Sequence, residues 1–433
     1  MIAEHRDPGG LLILANFVSP LAVDLRETSI LRRWSEQASR KIWLTRPGDL
    51  LVVPLPLSDA FRRYALRMLA MPEDSVTVVT VPDTTHAPMA EAIAMHGLLE
   101  PLRALVHERP GTRLLPTALD EASVALAADL GIPVAPYGAD RPSRRVVRTV
   151  ADLNTKSGFR SLADRLGMRL PSGRVCTGAD LPRTIDDMLS VWERVVVKTD
   201  RSAGGHGLSF VTRGEPWATA PVAPDSRWVV ERYVEHTRAV SAQGHVARER
   251  ATALYDGEMR MCGGSFAGYR SPLNDLPETA RAELADWTIA LGRHLGAEGY
   301  LGPYSLDAVC ARDGGLHALE CNVRRTATTT THTLVTRLVG EDPAPVWSMG
   351  TFRAGPAMAF DTVREGLIEA GLDFRPGGRE GVVLYTDRPA DGVEWRYVAL
   401  ATDLPRLDEL EARLTTAFAH EGVEGPGNPG LRR

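Results

Sequence analysis

The run Glu320-Cys321-Asn322-Val323-Arg324-Arg325 follows a second apolar run, Leu301 to Cys310, that carries one carboxylate at Asp307. In an extended strand residues i and i+2 share a face. Glu320 and Asn322 therefore direct three side-chain oxygens to one point, and a neighbouring strand bearing Asp307 completes a hard oxygen cage. Mg²⁺ suits such ligands, usually one or two carboxylates with nucleotide phosphates. Arg324, again at even spacing, adds a fixed cation for phosphoryl charge. A hairpin with polar residues on its solvent face fits the same pattern, so the reading needs support from elsewhere in the chain.

At 433 residues the chain is too long for one core, and two to four compact units are expected. A net charge of -5 argues against general nucleic-acid binding, which needs a basic face. The longest apolar runs, such as Leu11 to Val18, are of strand length and exclude a membrane partner through a helical span. The stretch Met1 to Gly10 is charged and unlike a secretory peptide. Cys176, Cys262, Cys310 and Cys321 are scattered without CxxC spacing; the last two sit in apolar strands and read as small buried hydrophobes. A reduced, cytoplasmic setting is the expectation.

Leu11 to Val18, Leu50 to Leu55 and Ser75 to Val81 read as buried strands, and Asp59 to Leu69, Pro88 to Leu105 and Asp120 to Leu130 as helices. That alternation implies an α/β layer with mainly parallel pairing. The polar, basic stretch Ala139 to Arg148 reads as a solvated linker, and Val150 to Leu166 as one helix. Strands and tight loops follow from Val195 to Val240, then an amphipathic helix, Glu278 to Leu295, and the two strands of the cage. Pro345 to Ala370 reads as helical and loop-rich, and Gly381 to Tyr385, Trp395 to Ala401 and Leu404 to Ala417 as a closing β-β-α piece. The expected division is 1–145, 146–340 with a lid at about 172–236, and 341–433, with a Gly/Pro-rich disordered tail at 422–433.

The strand Arg194 to Lys198 ends in a lysine and runs into a loop containing Gly204, Gly205, His206 and Gly207. Small residues let backbone N–H groups approach phosphate oxygens, and Lys198 would add a point charge. A simple flexible hairpin is the competing reading. Lys156 lies on the helix just upstream, where a lone lysine is ordinarily solvated. The run Arg227 to Glu235 is an apolar strand entering a charged turn; it offers backbone groups to an adenine, with Glu231 near the exocyclic amine, or is an ordinary strand with an exposed charged face.

In this order, helix lysine, strand lysine with glycine loop, Val-Val-Glu hinge, strand Asp and Glu-x-Asn-x-Arg, the chain resembles the ATP-grasp superfamily over about residues 145 to 340. The resemblance implies an α/β and α+β multidomain protein, with an N-terminal α/β pre-grasp domain before an ATP-grasp fold. It implies ATP and Mg²⁺ as cofactors. Lys156 and Lys198 would hold phosphates, and Gly204, Gly205, His206 and Gly207 would lie in a mobile loop over them. Glu231, Tyr233 and Val234 would read adenine; Asp307, Glu320 and Asn322 would hold the metal. The stretch Glu320 to His332, with its threonine run, also looks like the peptide ligase of pheganomycin-type antibiotic biosynthesis. That likeness implies joining a guanidino-bearing amino acid to a peptide N-terminus. Ser305 stands where many carboxylate–amine ligases of the superfamily have an arginine, two residues before the metal-binding aspartate. The transition-state cation must then come from elsewhere, with Arg324, Arg325 and Arg270 as candidates.

Such a site suits attack of a carboxylate on the γ-phosphorus of ATP, giving an acyl phosphate that an amine captures. Rival readings are a ligase of free amino acids, a small-molecule kinase, and a nucleotide-binding scaffold without chemistry. The loop Gly263 to Arg270 reads as a substrate wall or a plain turn, and His332 as a substrate contact or a helix cap. The expected partners are small-molecule carboxylate and peptide amine substrates; a homodimer is compatible with the sequence and not fixed by it.

Overall fold

Short, wholly apolar runs build the first sheet. The computed structural model describes residues 9–21, 28–82, 87–202, 207–217, 222–248 and 250–419. Leu11–Leu14 (β1), Leu50–Val53 (β2), Thr77–Thr80 (β3) and Arg113–Pro116 (β4) pair in parallel in the order β3-β2-β1-β4. All four residues of β2 are buried, as a parallel strand covered on both faces demands. The order reverses direction between β1 and β4, so the crevice beyond their carboxyl ends is a topological switch point.

A second, antiparallel sheet consists of Gly173–Thr177 (β5), Arg194–Thr199 (β6), Leu208–Thr212 (β7) and Arg227–Arg232 (β8), ordered β5-β8-β6-β7. The helix Leu181–Val191 packs on it around a small core of its own that includes Ile185, Val195, Val197 and Val230.

The third sheet has eight strands: His236–Ala247 (β9), Arg250–Cys262 (β10), Ser265–Ser271 (β11), Gly302–Ala311 (β12), Leu316–Asn322 (β13), Val346–Arg353 (β14), Gly381–Leu384 (β15) and Glu394–Ala401 (β16). It is antiparallel throughout, ordered β13-β12-β9-β10-β11-β14-β16-β15. Helices Glu278–Ala297 and Leu404–Phe418 cover one face, and helix Ala327–Val339 packs on the other through Tyr255 and Met349. Residues beyond 340 thus extend the sheet that carries the cage strands.

Five sequence expectations change. The helix expected over Pro88 to Leu105 is two helices, Met89–Met95 and Leu99–His107, separated at Gly97, which is left-handed at φ 66°. The helix expected over Val150 to Leu166 is two helices, Arg144–Leu153 and Lys156–Arg165. Thr155 breaks the run by capping the second: its side chain accepts from the Gly158 amide at 2.9 Å. A Cβ on Gly158 would lie 2.2 Å from the Asp152 carbonyl oxygen, so the tight break needs glycine there. The first of these helices also begins inside the expected linker, with Ser143 as its N-cap. Pro345 to Ala370 contains strand β14 before the helix Phe360–Glu369, because Trp347 and Met349 alternate into the sheet face. Gly263 to Arg270 is mostly strand β11; Gly263 and Gly264, at φ 57° and 83°, make the two-residue turn of a hairpin. The tail at 422–433 lies outside the described residues.

The C-terminal helix is tied to the third sheet by Glu411, which takes both terminal nitrogens of Arg260 at 2.7 Å and accepts from Ser348 and Tyr397. Burial would raise the Glu411 pKa, but these donors and the Arg260 charge hold it below the ordinary carboxylate range. A depressed folded pKa contributes stability above the unfolded value, and that contribution is lost as pH falls through the folded one. Glu411→Gln should therefore lower unfolding stability at pH 7 by about 1–3 kcal/mol. In denaturant titrations the gap from wild type should narrow as the pH drops below the glutamate range. A gap that is constant with pH would refute this.

Candidate active site

Strand pairing brings the cage residues together. Asp307 on β12 lies directly opposite Glu320 on β13, and Ser305 opposite Asn322, so all four point to the face that carries helix Ala327–Val339. A bulge follows immediately, where the pairing steps from Asp307–Glu320 to Ala308–Ala318. Bulges re-aim side chains at the point where they occur.

Two carboxylates facing each other across a ladder repel. Burial, and next the Glu320 charge, push the Asp307 pKa up to about 7, against the pull of Ser241, Arg324 and Asn322. Ser241 Oγ donates to Asp307 Oδ1 at 2.6 Å, and Gln243 Nε2 donates to Ser241 Oγ at 2.9 Å. Asn322 Nδ2 donates to Asp307 Oδ2 at 3.0 Å and to Ser305 Oγ at 3.1 Å. Burial would raise the Glu320 pKa too, but Lys156, Lys198 and Arg324 together lower it.

Those cations arrive from three directions. Lys156 opens its helix, because its backbone amide bonds the Asp200 carbonyl and the Ser157 amide bonds the Asp200 carboxylate. Its Nζ lies 3.4 Å from Glu320 Oε2 and donates to Ser202 Oγ at 2.8 Å. Burial lowers the Lys156 pKa, with the Glu320 charge opposing it. Lys198, on β6, is 2.5 Å from Glu231 Oε2. Arg324 donates to Asn154 Oδ1, and the same oxygen accepts from the Val323 amide at 3.2 Å. Asn154, the residue at the helix break, thus anchors the end of the cage strand.

The remaining expected residues divide. Glu231 is 2 % exposed and holds both Lys198 and Arg160. Its carboxylate is committed to that ion triad, so the expectation that it sits beside an adenine amine gives way to a role inside the second sheet. Tyr233 packs edge-on to Phe210 beneath the Arg194 guanidinium. The Arg232 and Tyr233 amides are spent on the Ser172 and Arg194 carbonyls, whereas the Val234 amide has no protein acceptor among the described residues. Gly207 is left-handed at φ 71°; Gly204, Gly205 and His206 lie outside the described residues.

Arg270 is not brought to the cage. Through the register Arg270–Glu258–Val240–Ala308 it points to the opposite face of the sheet from Asp307, where Asp408 and the Leu404 carbonyl hold it. Arg325 is buried, and its amide donates to the Thr117 carbonyl at 3.0 Å at the end of β4. His332 is no cap: it lies inside helix Ala327–Val339, whose N-cap is Thr326, and stacks on Tyr255 at 4.0 Å. Arg160, Ser241 and Asn154 were not foreseen. Arg160 had a signal, since it stands four residues after Lys156 on one helix face; Ser241 had none without the strand register.

Removing Arg160 leaves Glu231 with one cation instead of two. Arg160→Met should cost about 1–3 kcal/mol of stability. Hydrogen exchange should rise selectively in β8, which Glu231 ties to the helix; a loss spread evenly over the chain, or none, would contradict this assignment.

Residues 38–132 match the pre-ATP-grasp domain and residues 362–414 match the PGM1 C-terminal domain. The chain is 26 % identical over 361 residues to the L-propargylglycine–L-glutamate ligase of Streptantibioticus cattleyicolor, covering 74 % of this chain and 72 % of that one. Its fold is similar to that of N5-carboxyaminoimidazole ribonucleotide synthetase from Thermus thermophilus, at TM-score 0.57 and 15 % identity over 90 % of this chain and 98 % of that one. It is also similar to biotin carboxylase from Campylobacter jejuni, at TM-score 0.56 and 14 % identity over 94 % and 90 %. With its parallel N-terminal sheet, its small antiparallel sheet and its large one, this chain has the fold of these ATP-grasp enzymes behind a pre-ATP-grasp domain.

Proposed function

We propose that the chain forms an amide bond between an amino-acid-type carboxylate and an amine, using ATP and releasing ADP, by way of an acyl phosphate. The observation that carries this reading is the opposed pair Asp307–Glu320 ringed by Lys156, Lys198 and Arg324. The donor set fits Mg²⁺: two carboxylates share one face, and a half-turn of the Asn322 amide offers its oxygen to the same point. Asp307, Glu320 and Asn322 would hold that ion, which when bound supplies charge neutralisation at the phosphates.

The protein's own groups supply the rest. Lys156 and Lys198 neutralise and orient the nucleotide phosphates, and the Val234 amide donates to the adenine edge. Arg324, fixed by Asn154, faces the phosphoryl group in transfer, a reaction that needs position and charge more than a protein nucleophile. Residues 172–236 act as a lid, with Gly204 to Gly207 over the phosphates, and exclude the water that would hydrolyse an acyl phosphate. The division 1–145, 146–340 and 341–433 assigns the N-terminal unit to one wall of the substrate site. In this reading the donor is a nonproteinogenic, guanidino-bearing residue and the acceptor a peptide N-terminus, in peptide antibiotic biosynthesis. A ligase of two free amino acids is the second reading, which the name of the Streptantibioticus relative favours.

Glu320→Ala should abolish ADP formation in a protein that still folds; turnover like that of wild type would remove the cage from the mechanism. The intermediate is tested separately. Phosphoryl transfer needs position and charge more than a protein nucleophile, so the carboxylate should travel as a mixed anhydride and not as an acyl-enzyme. With ATP, Mg²⁺ and a carboxylate but no amine, hydroxylamine should trap a hydroxamate with release of ADP. AMP in place of ADP would show adenylation, and a stable phosphorylated product indifferent to amines would show a kinase.

A further inference from the structure

Asp307 stands on the middle strand of three, with β13 on one side of it and β9 on the other. Its two carboxylate oxygens are divided between those neighbours. Oδ2 accepts from Asn322 Nδ2 on β13, the strand that carries Glu320. Oδ1 accepts from Ser241 Oγ on β9, its register partner on that side. The carboxylate is thus held across the strand, one oxygen toward the cage and one away from it.

The Ser241 hydroxyl is itself directed. It has one proton to donate, and Gln243 Nε2 donates to its oxygen at 2.9 Å, which leaves that proton to Asp307. Ser241 and Gln243 stand at i and i+2 on β9 and so share the cage face. Ser241, Gln243 and Asp307 are all buried, where water competes little for these bonds. Among the described residues the Gln243 amide makes this one bond, and its Oε1 is buried without a partner. An apolar side chain of that size would avoid the cost of the unmade bond.

We infer that Ser241, oriented by Gln243, is a positioning residue that turns Asp307 to meet the metal through one oxygen, Oδ2, and so favours Mg²⁺ over Ca²⁺. This rests on the proposed function, in which Asp307 is a metal ligand. The reason lies in how the two ions use a carboxylate. Ca²⁺ is larger, takes more ligands and often takes both oxygens of one carboxylate, whereas Mg²⁺ demands octahedral geometry, for which one oxygen suffices. With Oδ1 held on the β9 side, the second oxygen is drawn away from the point that Glu320 and Asn322 share. Hydrogen-bond partners behind a metal ligand commonly set its orientation and the affinity of the site.

The test is metal binding to the full chain, without turnover. With the protein in excess over ADP, Mn²⁺ would be followed by the loss of its free-ion electron paramagnetic resonance signal, and Mg²⁺ and Ca²⁺ would be titrated as competitors. Wild type should bind Mg²⁺ more tightly than Ca²⁺. Ser241→Ala should weaken Mg²⁺ binding about 10-fold and Ca²⁺ binding less, so that the ratio of the two constants falls. ADP affinity without metal should not change. Ser241→Thr, which keeps the hydroxyl, should return the ratio toward wild type, and Gln243→Met should lower it by a smaller factor. Ca²⁺ bound as tightly as Mg²⁺ by wild type, an unchanged ratio in Ser241→Ala, or an equal loss for both ions would each overturn the assignment. If Ser241→Ala fails to fold, Gln243→Met decides by the same ratio. Glu320→Ala separates the two ideas. Metal binding that Glu320→Ala removes, with the ratio intact in Ser241→Ala, keeps the cage and sinks the positioning role; metal binding that Glu320→Ala leaves untouched sinks the cage itself.

Discussion

Two carboxylates are forced to face each other across one rung of a ladder. Asp307 and Glu320 are register partners in the interior of a protein, where like charges repel far more strongly than in water. Left alone, the pair would push one group to its neutral form, and Asp307 shows that tendency. The surrounding structure acts to keep the pair charged. Ser241 and Asn322 donate to Asp307, while Lys156, Lys198 and Arg324 face Glu320. In the proposed function, opposed anions in the centre and cations at the rim would receive the two halves of a metal–nucleotide complex, the cation and the phosphates.

That arrangement explains why otherwise separate elements meet here. Helix Lys156–Arg165 is joined to the second sheet twice, by the backbone and carboxylate of Asp200 and by the Arg160–Glu231–Lys198 triad. Lys156 and Lys198 are thus set by one connected unit. Arg324 is set by another, because Asn154 at the helix break holds both its side chain and the preceding backbone amide. The buried ion triad is weak evidence for stability; its clearer consequence is positional, since neither lysine can drift without disturbing Glu231 or Asp200.

Much of this was legible in the chain. Apolar runs located the strands of the parallel sheet, and even spacing in Glu-x-Asn put Glu320 and Asn322 on one side of β13, with Arg324 just past its end. What was not legible depended on pairing between distant strands. Arg270 sits on a strand that ends in a polar loop-like sequence, yet the register turns it to the face covered by the C-terminal helix. Glu231 reads from sequence as a charge on a strand end, and only its neighbours across β6 and the helix show that it is spoken for. The break at Thr155 did leave a trace, a Thr three residues before a glycine, which a capping reading would have weighed against one continuous helix.

The buried cations of the N-terminal unit complete the electrostatic pattern. The cage gathers opposed carboxylates, and Arg40 and Lys41 lie buried over Phe17 beyond β1, where Arg40 donates to the Gln37 side-chain amide and Lys41 to Thr330. Both clusters carry a desolvation cost that apolar residues of similar volume would not. The two clusters are linked by one short path, Glu320 through Arg325 to Thr117, a strand end bonded to a loop end. In the proposed reaction an amine must reach a defined point beside the phosphate, and this path would hold the N-terminal unit at a fixed distance from the cage.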